Sequence, residues 1–185
     1  MTENDIIDLF YERSEQAILE LDRKYGNLCR RLACNIVNSA HDAEECVNDA
    51  YLGVWNAIPP ARPHPLLPYV LKIVRNTALK SYWHSQAAKR VGPYTVALQE
   101  IEDCLADRQR VEDEIEAREL ACLVEGFLDT LSKEDRVIFL RRYWFADSYR
   151  DIAQRVGLSE KNVSVRLTRT RQKLKEYLTE SGVFA

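Results

Sequence analysis

Two small all-α domains joined by an acidic linker, the second containing a helix-turn-helix, are predicted by three features of this 185-residue chain. Apolar residues recur at three- and four-residue steps over most of its length, with no strand-like alternation of useful length. Charge is sorted into blocks of opposite sign. Near the C-terminus a short apolar-periodic segment, a glycine and a long cationic segment follow one another. The domains are expected at residues 1–92 and 115–185, with the linker at 93–114.

In the first domain Ile18, Leu21, Tyr25, Leu28, Leu32 and Ile36 form one helical stripe. The run Asn38-Ser39-Ala40-His41 interrupts it. A second helix is expected from about Asp42, whose carboxylate suits a helix N-terminus, through Ala43, Cys46, Val47, Ala50, Val54 and Trp55. Residues 59–68 hold five of the six prolines, so a stiff extended loop must separate this helix from the next. Helix resumes from about Leu67 to His84, carrying Tyr69, Val70, Ile73, Val74 and Leu79. Gly92-Pro93 then reads as a break, and the acidic stretch after Gln99 shows no clean period. In the second domain Leu120, Val124, Phe127, Leu128 and Leu131 make one stripe. Ser132 opens the next helix in a Ser-x-x-Asp arrangement with Asp135, and Val137, Ile138, Leu140 and Tyr143 are expected as its apolar side.

The formal net charge of −3 conceals the blocks: residues 1–60 carry −6, 61–99 carry +6 with no acid, 100–129 carry −8, 130–160 carry +1 and 161–185 carry +4. Two separate basic segments suggest contact with a polyanion at two places. The first twenty residues lack a secretory pattern and no apolar run is long enough to cross a bilayer, so a cytoplasmic chain without membrane insertion is expected. Five cysteines without Cys-x-x-Cys spacing read as reduced core thiols. No nucleophile triad, phosphate-cradling glycine loop or His-rich metal site is present, so neither catalysis nor a cofactor is expected.

The segment Ser148 to Leu174 has the parts a helix-turn-helix requires. Ala153 is small where the helices cross, Gly157 tolerates positive φ in the turn, and Ile152, Val156, Leu158, Val163 and Leu167 hold the second helix against the first. Ser159 is a plausible N-cap. From Lys161 to Lys175 the segment displays six cations and no acid. Such a helix suits the DNA major groove, with Lys161, Asn162, Ser164 and Val165 as base readers and Arg166 and Arg169 toward phosphates.

In the first domain, spacing puts Asp42, Glu45 and Asp49 on one helical face. This face could be simply solvated, could hold a divalent metal if a second carboxylate cluster completed the shell, or could dock a basic partner. Here the sequence resembles a known family. The helix Asp42-Ala-Glu-Glu through Val54-Trp55 resembles the segment with which bacterial sigma factors grip the largest subunit of RNA polymerase. Tyr69-Val-Leu-Lys-Ile-Val-Arg-Asn-Thr-Ala-Leu79 resembles their promoter-melting, minus-ten-reading helix. Leu131 to Trp144 and the helix-turn-helix are similar to their minus-thirty-five-reading domain. Absence of further domains points to the extracytoplasmic-function group.

The resemblance implies a transcription-initiation factor with core RNA polymerase and promoter DNA as partners, and an anti-sigma protein by family habit. It implies polymerase docking by Asp42, Glu45, Asn48 and Asp49. Minus-ten contacts are implied for Arg62 and His64 in the proline loop and for Lys72, Arg75, Asn76 and Lys80 on the next helix, with Tyr69 and Trp83 as stacking platforms. Minus-thirty-five contacts are implied for Lys161, Asn162, Ser164, Val165, Arg166 and Arg169. The chain departs from the family pattern at Asn48, where Gln is usual, at Gly53, where Arg is frequent, and at Lys80 and Trp83-His84. A stand-alone helix-turn-helix regulator is the alternative; it explains residues 130–178 and leaves 42–84 without a role.

Overall fold

In the computed structural model the chain divides into two compact units, Met1–Gly92 and Pro93–Ala185. Residues 1–85, 92–105 and 114–181 are described, those at 103–105 and 114–117 by backbone alone. Within them there are nine helices and no strand.

The first unit is built from α1 (Glu3–Tyr11), α2 (Gln16–Val37), α3 (Ala40–Ala57) and α4 (Leu66–His84). The helix α1 was not foreseen as an element. It is started by a reciprocal Thr2/Asp5 capping box and turns Ile6, Ile7 and Phe10 fully inward. α2 buries Leu21, Leu32 and Ile36 of the expected stripe and ends at Asn38, whose φ of 55° is the left-handed conformation asparagine tolerates. α3 begins two residues before the expected Asp42. The Ser39 hydroxyl accepts from the Asp42 amide, so serine is the cap and Asp42 sits in the first turn, where the helix dipole still favours its charge. α2, α3 and α4 pack mutually around Cys29, Val47, Val54, Val70 and Val74.

The second unit contains α5 (Pro93–Leu105), α6 (Glu114–Thr130), α7 (Lys133–Tyr143), α8 (Tyr149–Val156) and α9 (Glu160–Glu180). α5 occupies most of the span expected as linker; the remainder, residues 106–113, lies outside the described residues. Pro93 opens this helix rather than breaking one, because a proline in the first turn forfeits no intrahelical bond. Tyr94 and Ala97 are buried and Ile101 packs with Phe127, Phe139, Leu174 and Leu178.

α7 corrects the expected apolar face. Ile138, Phe139 and Arg142 are its buried side chains, while Val137 and Leu140 are 41% and 36% exposed. The buried face is turned toward Phe139 and Arg142, which the apolar pattern alone did not include. Of the cysteines, Cys29 and Cys46 are buried thiols, Cys34 is half-buried and Cys122 is exposed; the Cys104 side chain lies outside the described residues.

Candidate functional site

In the first unit α3 separates its two faces cleanly. Ala43, Cys46, Val47, Ala50, Tyr51 and Val54 point inward, leaving Asp42, Glu45, Asn48 and Asp49 exposed together on the other side. Leu52, 58% exposed, continues that line. On α4 the inward set is Leu66, Val70, Leu71, Val74 and Ala78. Lys72, Asn76 and Lys80 consequently form an exposed stripe that continues to Trp83, with Tyr69 half-buried at its start. Arg75 lies on the flank, half-buried.

The two faces meet in one groove, lined from α3 by Glu45, Cys46 and Asp49 and from α4 by Thr77, Lys80, Ser81 and His84. Burial pushes the Cys46 thiol up, which keeps it protonated and chemically quiet.

The proline loop is held by α1, a relation no local pattern in the sequence announces. The Tyr11 hydroxyl donates to the Pro60 carbonyl at 2.9 Å, and the Arg62 guanidinium pairs with Asp8 while lying 5.2 Å over the Tyr11 ring. Both partners of the Arg62–Asp8 pair are more than half exposed, so it is worth at most about 1 kcal/mol. His64 is exposed on the same loop. Behind the loop Glu3 accepts from the Leu66 amide at 2.9 Å and from the Tyr25 hydroxyl, anchoring the start of α4. The Tyr25 bond, followed by the Leu66 amide, holds the Glu3 carboxyl below its usual range; burial, followed by Glu3, pushes the Tyr25 phenol up to about 12.

In the second unit α7, α8 and α9 form the helix-turn-helix core. Ile138, Ile152, Ala153, Val163 and Leu167 make its buried centre, with Val156 and Leu158 packed against it. Gly157 closes α8 at φ 71°, and Ser159 caps α9 by accepting from the Asn162 amide at 3.2 Å. Val163 and Leu167 facing inward leave Lys161, Asn162, Val165 and Arg169 exposed, with Ser164 half-buried. Asn162, Val165, Arg166 and Arg169 line one shallow depression together with Glu134 and Leu158.

Two of the α9 cations are already engaged by carboxylates. Arg166, expected to face phosphates, pairs with Glu134 and approaches Asp135 at 3.4 Å, both in the first turn of α7. Arg171 turns inward, donating to the Tyr143 hydroxyl at 2.9 Å and to Glu100 at 3.3 Å. Glu100 itself went unremarked in the sequence. Its carboxylate accepts from Arg142 through Nε at 3.0 Å and Nη2 at 2.8 Å, from Tyr149 at 2.9 Å and from Tyr143 at 3.2 Å. Arg142 is 3% exposed and also donates to the Asp147 carbonyl at 3.0 Å. Burial works against the charged Glu100 carboxylate, but Arg142, Tyr149 and Arg171 outweigh it and hold the group below the usual carboxylate range. The sequence signal was an arginine three residues after Phe139 and four after Ile138, on the buried side of its helix. Such an arginine demands an anion, yet nothing local says which.

Among the described residues no helix is long and apolar enough to cross a membrane, and no cluster of three or more His, Cys, Asp or Glu side chains could hold a metal ion.

Comparison with known proteins connects these surfaces to one family. Residues 21–89 match the family model described as Sigma-70 region 2, and residues 123–174 match that described as Sigma-70, region 4. The first span contains the α3 face and the α4 stripe; the second contains α7, α8 and the exposed part of α9. A solved structure, that of CnrH in complex with the cytosolic domain of CnrY, aligns with 96% of this chain and 97% of its own at 19% identity and a TM-score of 0.44. No curated protein gives a match. A stand-alone regulator would account for the second match alone. With both regions present in order, the chain belongs to the sigma-70 family, in its extracytoplasmic-function group, and is a non-enzymatic factor that binds core RNA polymerase and promoter DNA to direct transcription initiation.

Proposed function

We propose a division of that work among three surfaces. The α3 face, Asp42, Glu45, Asn48 and Asp49, docks on core polymerase. The α4 stripe, Lys72, Asn76 and Lys80 with Arg75 beside it, follows the opened minus-ten strand, and Arg62 and His64 on the proline loop take an unstacked base. Tyr69 and Trp83 offer stacking surfaces at the two ends of the stripe. In the second domain the start of α9 enters the minus-thirty-five major groove, with Lys161, Asn162, Ser164 and Val165 toward base edges and Arg166 and Arg169 toward phosphates. The Arg166–Glu134 pair then opens on DNA, exchanging one anion for another. The factor acts in the cytoplasm, and by family habit an anti-sigma protein restrains it.

The observation that carries this reading is the shared groove of α3 and α4. A polymerase element held at Glu45 and Asp49 lies beside Lys80, so docking and minus-ten contact come from one rigid pair of helices. Two single changes test it. Asp49→Arg should abolish co-elution with core polymerase in size-exclusion chromatography while leaving the helical signal intact, since the residue is exposed. Asn76→Ala should bind core normally and melt promoter DNA poorly. Retained core binding by the first variant, or wild-type melting by the second, removes that surface from the assignment.

A further inference from the structure

We propose that Glu100, on a helix preceding the helix-turn-helix, is a positioning residue for promoter recognition: one carboxylate bonded to α7, α8 and α9 sets the rotation of the recognition helix. The proposal rests on the reading of α9 as the groove-entering helix and names a residue outside both matched family regions that controls it.

Apart from the solvent-facing pairing of Arg166 with Glu134 and Asp135, the contacts that hold α9 otherwise are apolar. Val163 and Leu167 pack at its start, Leu174 and Leu178 toward its end. Hydrophobic contact is non-directional and tolerates small rotations about the helix axis. Charge-assisted hydrogen bonds do not, because donor and acceptor must align within a narrow range of distance and angle. Between the two apolar zones lies Arg171, drawn inward to Glu100 and to the Tyr143 hydroxyl. The same carboxylate receives two bonds from Arg142 on α7 and one from Tyr149 on α8. Glu100 therefore ties together all three helices of the DNA-binding unit. Its own helix is fixed by burial of Tyr94 and Ala97 and by Ile101 against Phe127 and Phe139.

Helical geometry carries the effect to the far side. At about 100° per residue, fixing Arg171 inward places Asn162 about 180° and Arg169 about 200° around the axis, on the outward face. Loss of the clamp leaves α9 folded and docked with its rotation less well defined. Base reading, which depends on bond geometry, suffers more than phosphate attraction, which does not.

The test uses the full-length protein bound to core polymerase, with duplexes selected from a randomised library by the wild-type holoenzyme. The quantity read is the ratio of affinities for the selected upstream element and a scrambled one, the minus-ten element being held constant. Glu100→Ala should lower this ratio about tenfold, the size of one damaged base contact, with core binding and helical signal unchanged. Glu100→Gln keeps the shape and one acceptor but loses the charge, and should fall between the two; it carries the test if the alanine variant folds poorly. A merely structural role would reduce the active fraction and leave the ratio of the remainder intact. Wild-type ratios for both Glu100 variants, with a reduced ratio for Asn162→Ala, overturn the positioning role alone. Wild-type ratios for all three variants overturn the reading of α9 and this inference with it.

Discussion

The two domains are of similar size, yet among the described residues the fully buried polar side chains, Arg142, Asp147 and Thr170, all lie in the second. The first domain places its charged groups on exposed faces of α3 and α4 and fills its centre with hydrocarbon and thiol. Its nearest counterpart to the Glu100 cluster is Asp22, which accepts from Arg30 at 2.8 Å and from Tyr51 at 2.9 Å, but the Asp22 and Arg30 side chains are both more than one-third exposed. Working residues in the first domain can thus change with little risk to the fold. In the second, α9 and the core share one ionic network, so changes to α9 and to stability are coupled.

The comparison predicts its largest effect at Arg142. Arg142→Ala removes two bonds from the half-buried Glu100 carboxylate and one from the Asp147 carbonyl, leaving Arg171 and two tyrosines as the carboxylate's donors, and should cost about 2–3 kcal/mol in denaturant unfolding of the second domain. The parallel change Asp22→Asn in the first domain should cost no more than about 1 kcal/mol, because solvent screens the pair. Equal losses would erase the distinction. Acid sharpens it next. Because the folded Glu100 carboxyl lies below its ordinary 4.5, its contribution is complete above that value and is lost as pH falls through the folded one. An acid titration followed by circular dichroism should show the second domain yielding below about pH 4.5, and Glu100→Gln should flatten that dependence. A further effect concerns backbone alone. A Cβ at Gly157 meets nothing within 4 Å, so Gly157→Ala should cost only the left-handed strain, about 1–2 kcal/mol by thermal unfolding. A larger loss would mean that the turn also constrains packing.

What the sequence made legible follows the same division. The α2 stripe, the α3 acidic face, Gly157 and Ser159 were all readable because each depends on chemistry within a few residues. α1 was missed because nine residues give too little periodicity, although Thr2 and Asp5 already spelled a capping box. α5 was hidden because its apolar positions stand among acidic residues and begin at a proline. The tethering of Arg62 by Asp8, 54 positions away, and of Arg142 by Glu100, 42 away, depends on tertiary pairing that no local window contains.

One exposed ring offers an optical handle on the proposed contact of the α4 stripe with opened DNA. The chain has three tryptophans. Trp55 is half-buried, 6.1 Å from Phe10 and beneath Arg13, and Trp144 is also half-buried. Trp83, 59% exposed and set edge-on to Tyr82 at 5.0 Å, stands at the end of the α4 stripe with its indole in water. With Phe at the other two positions, its emission reports on that stripe alone. A base stacking on the indole would quench it, so the time course of fluorescence could follow strand capture during initiation without any attached dye.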